Sequence, residues 1–168
     1  AARDLTGARQ SFENSHDVFK RLAAANPSSA QAQRDLSVSL DSLGDVQLAA
    51  GDLTGARQSF EDSLLIRQHL AAADPSSALA QRDVSVSLER LGNVQVAAGD
   101  LTGARQSFEE SLLIARTLAA LNPLSAEAQR DVSVGSSKLG DVQVAAGDLT
   151  GARQSFEDSL RIARRLAT

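Results

Sequence analysis

The sequence contains no cysteine, methionine, tryptophan or tyrosine. Without cysteine there are no disulfides and no thiolate metal sites, and the redox compartment is left open. Five phenylalanines are the only aromatic residues, so a core has to be built mainly from Leu, Val, Ile and Ala, a composition that favours helix. No apolar run approaches the roughly 18 residues that a membrane span needs, and no signal-like N-terminus is present. Charge of one sign is never concentrated: the net charge of -4 comes from interspersed residues, so neither nucleic acid nor an anionic membrane surface is expected as a partner. The chain also starts partway through a repeat, and with no Met it reads as an excised segment or a processed product.

What is present is repetition. The segment Gly51 to Phe60, GDLTGARQSF, recurs as Gly99 to Phe108 and Gly147 to Phe156, and Arg3 to Phe12 differs from it only at the first residue. Pro27, Pro75 and Pro123 keep the same 48-residue period, as do Gln33-Arg34-Asp35, Gln81-Arg82-Asp83 and Gln129-Arg130-Asp131. A fixed period of this size implies stacked units, each touching only its neighbours. With 42% apolar and 23% charged residues, the balance is that of a folded chain.

Within one period the punctuation predicts two helices. Asn26-Pro27 ends the first segment, Asp4 to Asn26, whose apolar positions Leu5, Ala8, Phe12, Val18 or Phe19 and Leu22 fall near one helical face. Thr6 is its expected N-cap. Ser29, Ser77 and Ser125 are the expected N-caps of helices over Ala30 to Ala50, Ala78 to Ala98 and Ala126 to Ala146. Gly51 is placed to close the first of these in the left-handed conformation, with Thr54 capping the next helix. Further helices are expected over Gly103 to Leu121 and Gly151 to Ala167. The total is seven helices, a half repeat (1–26) followed by antiparallel pairs at 27–74, 75–122 and 123–168 in a single array.

Between Leu91 and Ser111 the chain reads LGNVQVAAGDLTGARQSFEES, and this resembles the tetratricopeptide repeat. The family's Leu-Gly pair falls on Leu91-Gly92, its turn on Gly99-Asp100, its small packing residues on Ala104 and Ser111, and its aromatic on Phe108. The match recurs at Leu43-Gly44, Ala56, Phe60 and Ser63, and at Leu139-Gly140, Ala152, Phe156 and Ser159. Small residues let paired helices approach, while the Phe is expected to fill the space between neighbouring pairs. The resemblance implies an all-α, right-handed superhelical solenoid. The family's standard repeat has about 34 residues; the additional length here divides into about two helical turns in each helix, which preserves the apolar face, so long-helix variants are the nearer relatives. At the family's bulky aromatic positions stand Leu40 and Leu88 and the series Gln47, Gln95 and Gln143. Those amides either form a buried ladder between stacked helices or stay partly exposed, the second being expected.

Catalysis finds little support. His16 and His69 occupy different repeat positions without partners and are expected at the surface, the glycines of GDLTG lack the Lys-Ser/Thr of a phosphate loop, and no carboxylate pair stands out. No cofactor and no metal are expected, and the chain is not read as an enzyme.

In this family the first helix of each pair lines the inner, concave face. Carried over by position from the Leu-Gly pair, that face holds Arg34, Val38, Asp41, Asp45, Leu48 and Ala49, then Arg82, Val86, Glu89, Asn93, Val96 and Ala97, then Arg130, Val134, Ser137, Asp141, Val144 and Ala145. It reads as acidic in its middle, apolar at one end and basic at the other. Some family members grip a C-terminal carboxylate with Lys and Asn, but Asp41, Glu89 and Ser137 stand at the Lys places and only Asn93 matches, which disfavours that mode. Arg82 and Asp83 are alternatively inter-repeat ion-pair partners.

The resemblance implies an interaction scaffold for a peptide or partner segment, with a spacer or self-assembling array as the alternative. A basic residue in the ligand is expected to meet Asp41, Asp45, Glu89 and Asp141, with Val38, Val86 and Val134 against flanking apolar side chains. Residues 51–98 and 99–146 are identical at 35 of 48 positions, and four of the differences fall together, Ser87-Leu88-Glu89-Arg90 becoming Gly135-Ser136-Ser137-Lys138. The third pair is therefore expected to be the softest. Leu64 and Leu65, repeated as Leu112 and Leu113, become His16 and Asp17 at one end, and Leu113 becomes Arg161 at the other. With Arg164, Arg165 and Thr168, Arg161 is expected to form a hydrated terminal cap that keeps the chain monomeric, although end-to-end association remains open.

Overall fold

The computed structural model describes residues 5–167; the expectations placed on the side chains of Leu5, Thr6 and Ala8 and on Thr168 lie outside the described residues. Seven helices and no strands occur among them: α1 (Leu5–Ala25), α2 (Ala30–Ala49), α3 (Leu53–Ala73), α4 (Ala78–Ala97), α5 (Leu101–Leu121), α6 (Ala126–Ala145) and α7 (Leu149–Leu166). The chain forms two compact units, Ala1–Ala80 and Gln81–Thr168.

Proline and serine set one end of each pair. The residues before Pro75 and Pro123, Asp74 and Asn122, leave the helical region, with φ of -135° and -134° and ψ of 83° and 78°, as the proline ring favours. Ser29, Ser77 and Ser125 then accept from the backbone N–H of Ala32, Ala80 and Ala128 at 3.2, 3.2 and 3.1 Å, which makes them the N-caps expected.

The other end is the GDLTG turn. Gly51 has φ of 79°, and its N–H donates to Leu48 O at 3.0 Å while that of Asp52 donates to Gln47 O at 2.9 Å. Two otherwise orphaned carbonyls are thereby satisfied. The cap of the following helix is not Thr54 but Asp52, whose carboxylate accepts from Gly55 N at 2.9 Å; Asp100 and Asp148 repeat this with Gly103 and Gly151. A carboxylate gains from the helix dipole where a hydroxyl does not, and its position ahead of Leu53 moves the helix start two residues earlier than expected. The second glycine of the motif exists for this contact: a Cβ on Gly55 would lie 2.6 Å from Asp52 Oδ2.

Inside each pair the packing is close. A Cβ on Gly44, Gly92 or Gly140 would sit 2.6, 2.5 or 2.7 Å from the ring of Phe60, Phe108 or Phe156, so the Leu-Gly glycine is the bed on which the phenylalanine lies. Serines join the same helices, Ser63 donating to Ser37 O at 3.1 Å and Ser111 to Ser85 O at 3.0 Å. In Gln81–Thr168 the core continues from pair to pair, Phe108, Leu112 and Ala115 of α5 clustering with Val132, Leu139 and Val142 of α6.

The glutamine series is buried rather than partly exposed at Gln95 and Gln143, and half-buried at Gln47. Ser59 and Ser155 donate to the amide oxygens of Gln47 and Gln143 at 2.7 Å. Gln95 is better satisfied turned over, its nitrogen donating to the Ser107 hydroxyl at 2.7 Å and to Gly103 O at 3.1 Å. The amides are thus tied across the turn within their own pair, not in a ladder between pairs.

The end helices also differ from expectation. Leu65 and Leu113 are exposed, so Asp17 and Arg161 replace residues that were never covered. The covered position is Leu64 and Leu112; α1 places His16 there, half-buried with Nδ1 3.3 Å from Ser39 Oγ, whereas α7 retains Leu160. His69 lies on the surface.

Candidate interaction face

The residues expected on the inner face lie on α2 in the first unit and on α4 and α6 in the second, at spacings of three and four residues. In Ala1–Ala80, Val38 and Asp45 are exposed and Arg34 and Leu48 half-buried. Asp41 is not on an open face. Arg67 reaches across from α3, donating from Nη2 to Asp41 Oδ2 at 2.6 Å and from Nε to Ser37 Oγ at 3.2 Å, and both charged side chains are buried. Neither residue recurs in the other pairs, where Glu89 and Ser137 replace Asp41 and Ala115 and Ala163 replace Arg67, so this pair is particular to the first repeat.

In Gln81–Thr168 more of these residues are open. Val86, Asn93 and Val96 of α4 and Arg130, Val134, Asp141 and Val144 of α6 are exposed, with Arg82, Glu89 and Ser137 half-buried. Arg82 donates to both oxygens of Asp131, at 2.7 and 3.4 Å, and pairs with Glu127 at 2.7 Å. The hydrogen bond to Asp131 raises its pKa against the opposing effect of burial. The guanidinium is therefore engaged between α4 and α6, and its partner is Asp131 of the next pair. Burial lifts the Glu89 carboxyl above its ordinary range, with nearby Lys138 opposing the shift.

Lys138 is the residue that the family-based reading of the face missed. Its Nζ donates to Asn93 Oδ1 at 2.9 Å and lies 5.7 Å from the centre of the Phe108 ring. Beside it is a cleft of about 210 Å³ lined by Asn93, Val96, Phe108, Lys138, Asp141, Val142 and Ala145. The signal lay in the internal comparison, where Lys138 closes the longest run of differences between the repeats. Aliphatic walls with a cation, a carboxylate and an amide at the rim can take up an apolar side chain and hydrogen-bond a peptide backbone. Among the described residues no group of His, Cys, Asp or Glu is arranged to hold a metal ion, and no helix is long and apolar enough to cross a membrane.

The sequence profile described as Tetratricopeptide repeat matches residues 1–68 and 43–112. The chain belongs to the tetratricopeptide repeat family. No curated protein matches the sequence. Among solved structures, BtubC (BKLC) from P. vanneervenii is similar at 14% identity over 98% of this chain and 92% of its own, with a TM-score of 0.37. MamA is similar at 14% identity over 99% of this chain and 97% of its own, with a TM-score of 0.35.

Proposed function

We propose that the α4 and α6 face of residues 81–168 binds an extended peptide or partner segment of another protein. Repeats of this family generally mediate protein–protein interactions and generally serve as non-catalytic scaffolds. The observation that carries the reading is the exposure of Val86, Val96, Val134 and Val144 on consecutive first helices, beside the cleft edged by Asn93, Lys138 and Asp141. Exposed valines in register offer a ligand alternate apolar contacts, and the polar rim orients its backbone. The charged groups on this face are four carboxylates, Glu89, Glu127, Asp131 and Asp141, against Arg82, Arg130 and Lys138. That balance favours a ligand with one Lys or Arg between apolar side chains, meeting Asp141. Asp41, buried against Arg67, has no part in it.

Labelled basic, neutral and acidic peptides of matched apolar content, measured at two salt concentrations, test the preference. The basic peptide should bind tightest and weaken as salt rises. Tighter binding of the acidic peptide would shift recognition to Arg130 and Lys138. Absence of binding by all three would favour the spacer reading.

A further inference from the structure

The repeats are alike enough to pair wrongly. Residues 51–98 and 99–146 are identical at 35 of 48 positions, and α3, α5 and α7 all open with LTGARQSFE. The contacts that seat each second helix on its own first helix are shared in the same way. Phe60 lies on Gly44, Phe108 on Gly92 and Phe156 on Gly140, while Ser63 donates to Ser37 O as Ser111 does to Ser85 O. None of these contacts distinguishes α3 from α5 as the partner of α2, so a slip by one repeat period would preserve them all.

One contact does distinguish them. Arg67 of α3 donates from Nη2 to Asp41 Oδ2 at 2.6 Å and from Nε to Ser37 Oγ at 3.2 Å, and the Arg67 and Asp41 side chains are only 7% and 9% exposed. The position of Arg67 is Ala115 on α5 and Ala163 on α7, and that of Asp41 is Glu89 on α4 and Ser137 on α6. Seating α2 on α5 or α7 would therefore bury Asp41 opposite alanine, and seating α3 on α6 would bury Arg67 opposite serine. Either arrangement takes a charge out of water and away from its counter-ion, a heavy penalty in a closely packed seam. Glu89 would accept Arg67, but α3 on α4 leaves α2 only the alanine-bearing helices. Ser137 and Ala163 in the third pair show that the fold itself does not need charges at these positions. A buried ion pair adds little over an apolar substitute, whereas a polar group at one place in an apolar seam fixes register.

From this we infer that the Asp41–Arg67 pair is a register lock, which selects α3 among the similar second helices as the partner of α2 while the chain folds. The chain has no cysteine, so refolding can be followed with Ser37→Cys and Ser111→Cys in every chain compared; neither change touches Asp41 or Arg67. In the native fold Ser111 lies against Ser85, with their hydroxyl oxygens 2.9 Å apart. A disulfide between positions 37 and 111, found by peptide mapping after refolding from urea under oxidant, therefore marks α2 seated on α5. With the lock intact that disulfide should be rare. Asp41→Ser with Arg67→Ala, the residues of the third pair, should raise its yield at least about tenfold. Asp41→Leu with Arg67→Met should raise it likewise, while keeping an apolar seam of similar volume. Leu40→Ala removes a buried apolar side chain from the same helix without altering charge, and should leave the yield as in the parent. An unchanged yield in both charge-free chains would overturn the inference. So would an equal rise in Leu40→Ala, since lost stability alone would then account for the slip.

Discussion

At the scale of single residues, the structure turns on polar groups that an apolar reading passes over. Gln95 and Gln143 are buried yet satisfied because a serine twelve positions later returns to meet each amide. That pairing is invisible along the sequence, since it exists only once the GDLTG turn has folded the helices together. Arg67 and Asp41 were harder still, because they occur in one repeat and periodicity cannot flag them. Arg67→Met should cost about 3–5 kcal/mol by leaving a buried carboxylate without its cation, and adding Asp41→Leu should recover most of the loss. Urea denaturation of the single and double variants decides this; a single variant as stable as the parent would refute it. Ser107→Ala should cost about 1–3 kcal/mol, the loss of a hydroxyl bonded to the buried Gln95 amide. Glu89 gives a pH dependence. Its folded pKa is raised by burial, so between the ordinary carboxylate range and that raised value the folded state holds more protons than the unfolded, and stability falls as pH rises through the window. Glu89→Gln should therefore stabilise the chain at neutral pH, with a gain that shrinks on acidification; a gain that grew instead would contradict the assignment.

At the scale of elements, helix boundaries were legible to within about two residues because proline, serine and left-handed glycine are local signals. The choice of Asp52 over Thr54 as cap was not, because both are good capping residues and only the geometry after Gly51 selects between them. Helix α6 is expected to be the weakest element of the Gln81–Thr168 core. Gly135 replaces Ser87 and Ser136 replaces the buried Leu88, and the Ser136 hydroxyl is buried without a hydrogen bond among the described residues. Amides around Gly135 should exchange faster than those around Ser87, and Ser136→Ala should stabilise by about 1 kcal/mol by removing an unsatisfied group. Equal protection of the two helices would show that the substitutions are absorbed elsewhere.

At the scale of the whole molecule, the repeat itself was the legible quantity. Three in-register copies of the Leu-Gly, Ala, Phe and Ser pattern were sufficient to place the chain in its family, because stacked repeats impose the same packing demands on every unit. Which face stays open was less legible, since it depends on what neighbouring helices cover. Val86, Val96, Val134 and Val144 of α4 and α6 are exposed, whereas Asp41 is buried. Likewise the arginines of α7 resembled a hydrated cap, although Phe156 and Leu160 beside them remain open. The claim that residues 81–168 present a binding face is tested most directly by titrating a labelled peptide with a central Lys between apolar residues into the wild-type chain and into Val134→Glu. Val134 is exposed, so the variant should keep its helix content by circular dichroism and bind at least about tenfold more weakly. Equal, saturable binding to both chains would contradict the claim.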